Sequence, residues 1–160
     1  MIKLIAGAML MAVMFYIGIA IERFYKKRAD CVVEFADFLS YASREISFLK
    51  TDILSVMGSF IKDGTTPFKK MLAEVKTAFE KGTPLSFDNA YLTAGDKDLI
   101  KKFFNGIKKS DFQEQERLFK RTAAETNESV KVAIKQKKEK GELIKKLFIL
   151  AGVGLMIVII

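Results

Sequence analysis

The feature that most constrains this chain is that it is greasy at both ends and charged between them. Leu4 to Ile21 reads LIAGAMLMAVMFYIGIAI, eighteen residues without a charged side chain, and Leu147 to Ile160 reads LFILAGVGLMIVII, fourteen more. Glu22 to Lys146 carries 26 of the 27 basic residues and all 19 acidic ones, a net charge of +7 over 125 residues. A run with every side chain apolar has no polar face to turn to water, so it has to be covered by protein or by lipid. A water-facing middle of this length is large enough for a core of its own.

The first run meets the length of a membrane-spanning helix. A cleaved signal peptide is the rival reading, since Gly18 and Ala20 fit the small-residue cleavage positions. The flank argues for an uncleaved anchor: Arg23, Lys26, Lys27 and Arg28 follow the run, and positive segments stay in the cytoplasm. The second run is short. At ~1.5 Å per residue its fourteen residues reach about 21 Å against a hydrocarbon core of about 30 Å. Leu143 and Ile144 extend its apolar surface, and Lys145 and Lys146 are expected to snorkel to the headgroups. Both basic flanks lie on the inner side of the sequence. The expectation is therefore a transmembrane helix over residues 1–22, a cytoplasmic bundle over 23–142 and a second transmembrane helix over 143–160, with both termini across the membrane.

The middle reads as all-α, a bundle of about six helices. Phe35, Phe38, Leu39, Ala42, Ile46 and Leu49 fall at helical steps on a first helix that runs from Phe24 to about Lys50. Thr51 is the expected N-cap of TDILSVMGSFIK, which the Asp63–Gly64 pair ends. Thr66 caps a third helix with Pro67 at its first position, and Gly82 closes it. Thr83 and Pro84 repeat the device and predict a short fourth helix to about Thr93. A fifth, Asp96 to Lys109, takes Asp96 as its cap. The last starts near Ser110 and runs on towards the C-terminal apolar run, with a thin seam of Phe112, Gln115, Phe119, Thr122, Thr126 and Ala133. Twelve Phe residues lie in the middle segment, the bulk such a core needs.

Several chemistries are excluded. The chain has no His and one Cys, so the commonest general base and metal ligand is missing and no thiolate cluster can form. Cys31 reads as a small core residue. No glycine-rich loop is placed to cradle a phosphate, and no Asp, Glu or Arg interrupts either apolar run to suggest an ion relay. The expectation is a non-enzyme without cofactor or metal. Ten of the 26 basic residues of the middle sit in the two flanks, which fits anionic lipid headgroups better than nucleic acid. The remaining function is binding another protein. Phe103 and Phe104 are adjacent and cannot face the same way on one helix, so Phe104, rimmed by Lys101 and Lys108, is the expected partner-binding site. The blander reading packs Phe104 on a neighbouring helix.

The same residues carry a resemblance. The N-terminal apolar run, ERFYKKR, the turn SREISFLKTDIL, the KG before the fourth segment, IKKFFNGIKKSDFQEQ and the closing KKLFILAGVGLMIVII stand in the order of the stage III sporulation protein AB family, and the chain resembles that family over nearly its whole length. Glu45, Ile46, Thr51 and Ile53 fit its pattern in the turn; Asp111 and Gln115 fit the Asp and Gln after the fifth helix. Asp52 stands where Pro is expected, Tyr91 where an aromatic, often Trp, is expected, and Phe104 and Lys108 where small residues are. The resemblance implies a mother-cell membrane protein of a transenvelope channel to the forespore. It also implies a bundle similar to the cytoplasmic domains of the platform proteins of type II secretion and type IV pilus systems. The implied partners are the secretion-type ATPase of that channel and other channel membrane proteins. A membrane-anchored helical adaptor or regulatory protein unrelated to secretion is the alternative.

Overall fold

A computed structural model of the chain describes residues 2–62, 64–87, 89–108 and 112–159. It is helical throughout, with no strand among the described residues. The elements are α1 (Ile2–Leu49), α2 (Ile53–Ile61), α3 (Pro67–Lys81), α4 (Ala94–Ile107), α5 (Phe112–Gln136), a π-helical stretch (Lys137–Gly141) and α6 (Glu142–Ile159). Two compact units divide the chain, Asp30–Lys131 and the paired ends Met1–Ala29 with Val132–Ile160.

The unit Asp30–Lys131 is the bundle. Its core joins Phe35, Phe38, Leu39 and Ala42 of α1 to Met57 of α2, Phe68, Leu72 and Val75 of α3, Ile100, Phe103 and Phe104 of α4, and Phe119 of α5. Burial of each large side chain stabilises by about 1.5–3 kcal/mol. Caps set the helix ends. Thr66 accepts from the Lys69 N–H at 3.3 Å and donates its hydroxyl proton to Glu34 at 2.6 Å, which ties the start of α3 to α1. Gly82 closes α3 at φ 66, and the Gly82 and Thr83 N–H groups return to the Phe79 and Ala78 carbonyls, the paired bonds of a Schellman end.

Other ends differ from the sequence reading. Asp52 caps α2, accepting from Leu54 and Ser55; Thr51 sends its N–H back to the Glu45 carbonyl instead. Thr93 caps α4, and Asp96 is the third-turn-position partner of a capping box, accepting from the Thr93 N–H at 3.1 Å. The expected fourth helix, Pro84 to Thr93, is a loop, so five helical elements build the bundle. Thr83 belongs to the end of α3, its N–H returning to the Ala78 carbonyl, and no helix follows it for its hydroxyl to cap. Buried Asn89 then holds the loop: its amide donates to the Pro67 carbonyl and the Cys31 sulfur, and its carbonyl accepts from Tyr91. Cys31 is buried in the core, as read from the sequence. Asp63, Lys109, Ser110 and Asp111, on which several expectations fell, lie outside the described residues.

The terminal unit is an antiparallel helix pair. A Cβ built on Gly18 would lie 3.2 Å from the Phe148 Cβ, and one on Gly152 would lie 3.3 Å from the Met14 Cβ. Gly141 comes against Glu22 and Tyr25 in the same way. Residue numbers rise along α1 as they fall along α6. Glycines let the two backbones approach this closely.

By length and composition one helix is long and apolar enough to cross a membrane, α1 over Ile5–Leu49. The expected C-terminal span is corrected: Glu142, Lys145 and Lys146 occupy the first turns of α6. Its uncharged part, Leu147–Ile159, has 13 residues, about 20 Å of helix against about 30 Å of hydrocarbon. What the structure shows instead is a short apolar helix laid against α1.

Candidate functional site

Three surfaces bear on function, and the first is the outer face of the helix pair. Ile5, Met9, Val13, Phe15 and Tyr16 of α1 and Leu147, Leu150, Ile157 and Val158 of α6 are all exposed. Soluble proteins seldom leave so much apolar surface contiguous. Of the predicted flank, Arg23, Lys26, Lys27 and Lys146 are exposed. The other two are used inside the pair. Arg28 is 7 % exposed and donates to the Gln136 amide oxygen. Lys145 forms an ion pair with Glu22 at 2.8 Å rather than reaching outward.

The π-helical stretch explains how α6 presents the right side chains. Ala133 and Gln136 lie on the inner side of α5, and Gly141, Lys145, Phe148 and Gly152 continue that side in α6. An unbroken α-helix would bring Lys140 round to the place that Gly141 occupies. The one-residue insertion of a π turn moves the long charged side chain outward and puts the glycine against α1.

The second surface is the basic face of α4, where the partner site was expected. Phe104 is not on it: Phe103 and Phe104 are both 0 % exposed. The rings do point different ways, as adjacent residues on a helix must, but both faces are covered. Phe103 packs on Phe35 and Phe119, with centroids at 5.9 and 5.2 Å, and Phe104 on Phe38 and Phe79 at 5.9 and 6.2 Å. Phe87, from the segment read as a fourth helix, stacks on Phe104 at 6.0 Å and seals the face that would have been open. The exposed-anchor expectation for Phe104 is overturned by this burial. Of its rim, Lys101 is exposed beside Lys97 and Asp98 in a shallow groove under Leu85, and Lys108 lies over the Phe79 ring at 5.6 Å. Lys102 pairs with Asp98 at 2.7 Å, and that hydrogen bond raises its pKa above the ordinary lysine value.

The third surface was missed by the sequence reading. At the end of α1, Phe48 is 83 % and Leu49 67 % exposed. Leu49 continues the spacing of the buried stripe, but α1 stops there. Lys50 takes φ 50, a left-handed conformation costly for a residue with a Cβ, and turns the chain before Leu49 can pack. Phe48 did carry a signal: it falls off the stripe, four residues after Arg44. Beside it, between α1 and α5, runs a groove lined by Leu39, Ser43, Arg44, Phe119, Lys120 and Ala123. On its rim Lys120 bonds Glu116 at 2.8 Å, which holds the Glu116 carboxyl below the usual range.

No cluster of metal-ligating side chains occurs among the described residues. The family model for stage III sporulation protein AB matches residues 3–160. No curated protein and no solved structure matches the chain.

Proposed function

Since this chain belongs to the stage III sporulation protein AB family, we propose that it is a non-enzymatic inner-membrane platform component of a secretion-like transenvelope channel in endospore formation, and that its bundle docks the channel's secretion-type ATPase. The observation that carries this reading is the division of the molecule. One unit exposes apolar side chains along paired helices; the other is a charged bundle with its own core. In this reading α1 crosses the mother-cell membrane that faces the forespore. Too short to span unaided, α6 follows it into the bilayer as its antiparallel partner. Arg23, Lys26, Lys27 and Lys146 meet anionic headgroups, which keeps the bundle in the cytoplasm. The other channel membrane proteins are neighbours within the bilayer.

The test uses the full chain in detergent micelles with the purified ATPase of the same channel. Co-purification at micromolar concentrations, and loss of membrane retention in cells when residues 2–22 are removed, are the expected results. A chain that stays membrane-bound but never retains the ATPase would favour the alternative, a membrane-anchored helical adaptor unrelated to secretion.

A further inference from the structure

The groove between α1 and α5 supplies an interaction surface with a definite chemistry. Leu39 and Phe119, at 1 % and 3 % exposure, lie at its base, with Ser40 beside them. Its walls are low, because Ser43 and Ala123 are small residues where long side chains would fill the gap between two helices. The opening therefore accepts a side chain from outside. At one end, Phe48 stands one helical turn beyond Arg44 on the same face of α1 and is exposed to water over most of its surface. An exposed aromatic next to an apolar recess is the arrangement that anchors interfaces.

Charge decides what fits. Arg44 is exposed and makes no ion pair or hydrogen bond among the described residues. Lys120, which lines the opposite wall, is already paired with Glu116. Exposed Lys50 adds to the positive side beyond Phe48. The incoming surface must then bring its own carboxylate. A second copy of this chain, at net charge +8, is a poor match for it.

We propose that this groove, ending at Phe48, docks an acidic helical segment of a partner protein, with an apolar side chain seated over Leu39 and Phe119 and a carboxylate on the Arg44 guanidinium. Grooves between helices recognise amphipathic helices in this manner, the apolar side chains giving affinity and the charges fixing register. The inference rests on the reading that the bundle docks the channel ATPase, and it moves the docking surface from α4 to the α1–α5 groove.

The experiment compares full-length chains in detergent for binding to the purified ATPase. Arg44→Glu and Phe48→Ser are each expected to weaken binding at least tenfold, with unchanged helical circular dichroism because both side chains are exposed. Arg44→Lys keeps the charge and is expected to stay within a few-fold of the native chain. A photo-crosslinker in place of Phe48 should attach to an acidic helix of the ATPase. Native affinity in both variants would overturn the inference while leaving the platform reading intact. So would a crosslink from position 48 to a second copy of this chain, or variants whose only loss is retention on phosphatidylglycerol vesicles. If the native chain does not bind the ATPase, the docking part of the platform reading fails and takes the inference with it.

Discussion

Phe104 shows how a local argument fails at the residue scale. Two adjacent rings on one helix do point apart, and on a helix with one covered face one of them would be wet. Helix α4 has both faces covered, by α1 and α5 around Phe103 and by α1, α3 and the Phe87 loop around Phe104. Both rings should therefore behave as core. We expect Phe103→Ala and Phe104→Ala each to cost on the order of 3–5 kcal/mol, read from chemical denaturation of the detergent-solubilised chain. A Phe104→Ala chain as stable as the native one would return that ring to the surface. Asp96 is a second residue whose role widened. Beyond the capping box, its other carboxylate oxygen accepts from Ser129 of α5 at 2.8 Å, so one buried side chain sets the start of α4 and ties it to α5.

At the scale of elements, the glycines of the terminal unit make the sharpest claim. If Met14 and Gly152 face each other as described, with β-carbons 3.3 Å apart once a Cβ is added at Gly152, a cysteine pair there is close to disulfide spacing, about 3.5–4.5 Å between β-carbons. Met14→Cys with Gly152→Cys should cross-link under mild oxidation in membranes. Deleting Lys138 in that pair should abolish the cross-link, because the π turn becomes an ordinary turn and rotates α6 by about 100°. Cross-linking that survives the deletion would mean that the π stretch does not set the face α6 presents.

Most elements were legible in the sequence, and those that were not have physical reasons. The α3 signals, Thr66, Pro67 and Gly82, act within a few residues of each other and did what local chemistry predicts. The same letters at Thr83 and Pro84 failed, because Phe87 and Asn89 are buried in the core and the Asn89 amide bonds the Pro67 carbonyl, which holds the segment as a loop. The buried seam of α5 was legible as Phe119, Thr122, Thr126 and Ala133. The exposed end of α1 was not, since periodicity cannot show that the neighbours run out at Leu49. The π stretch left no mark in composition either; it becomes visible only once the partner face of α1 is known.

At the scale of the whole molecule, the proposed membrane role asks different solvents of the two units. Phe48 apart, the phenylalanine side chains described in the Asp30–Lys131 unit pack into or against one core; every member of its core cluster, from Cys31 to Phe119, comes from within those limits. The inter-helix polar ties from Thr66 to Glu34 and from Ser129 to Asp96 also lie within this unit. The paired ends bury little beyond their glycine seam and leave large apolar side chains outward, which is stable only where water is absent. Cutting the chain at those limits should separate a part that needs lipid from a part that does not. We expect residues 30–131 expressed alone to be soluble, predominantly helical by circular dichroism, and to melt in one cooperative transition. The full chain should require detergent or membrane. A 30–131 fragment that stays unfolded, or that shows helix without a cooperative transition, would mean that the core named here does not suffice and that the flanking helical segments, 23–29 and 132–142, carry part of the bundle's stability.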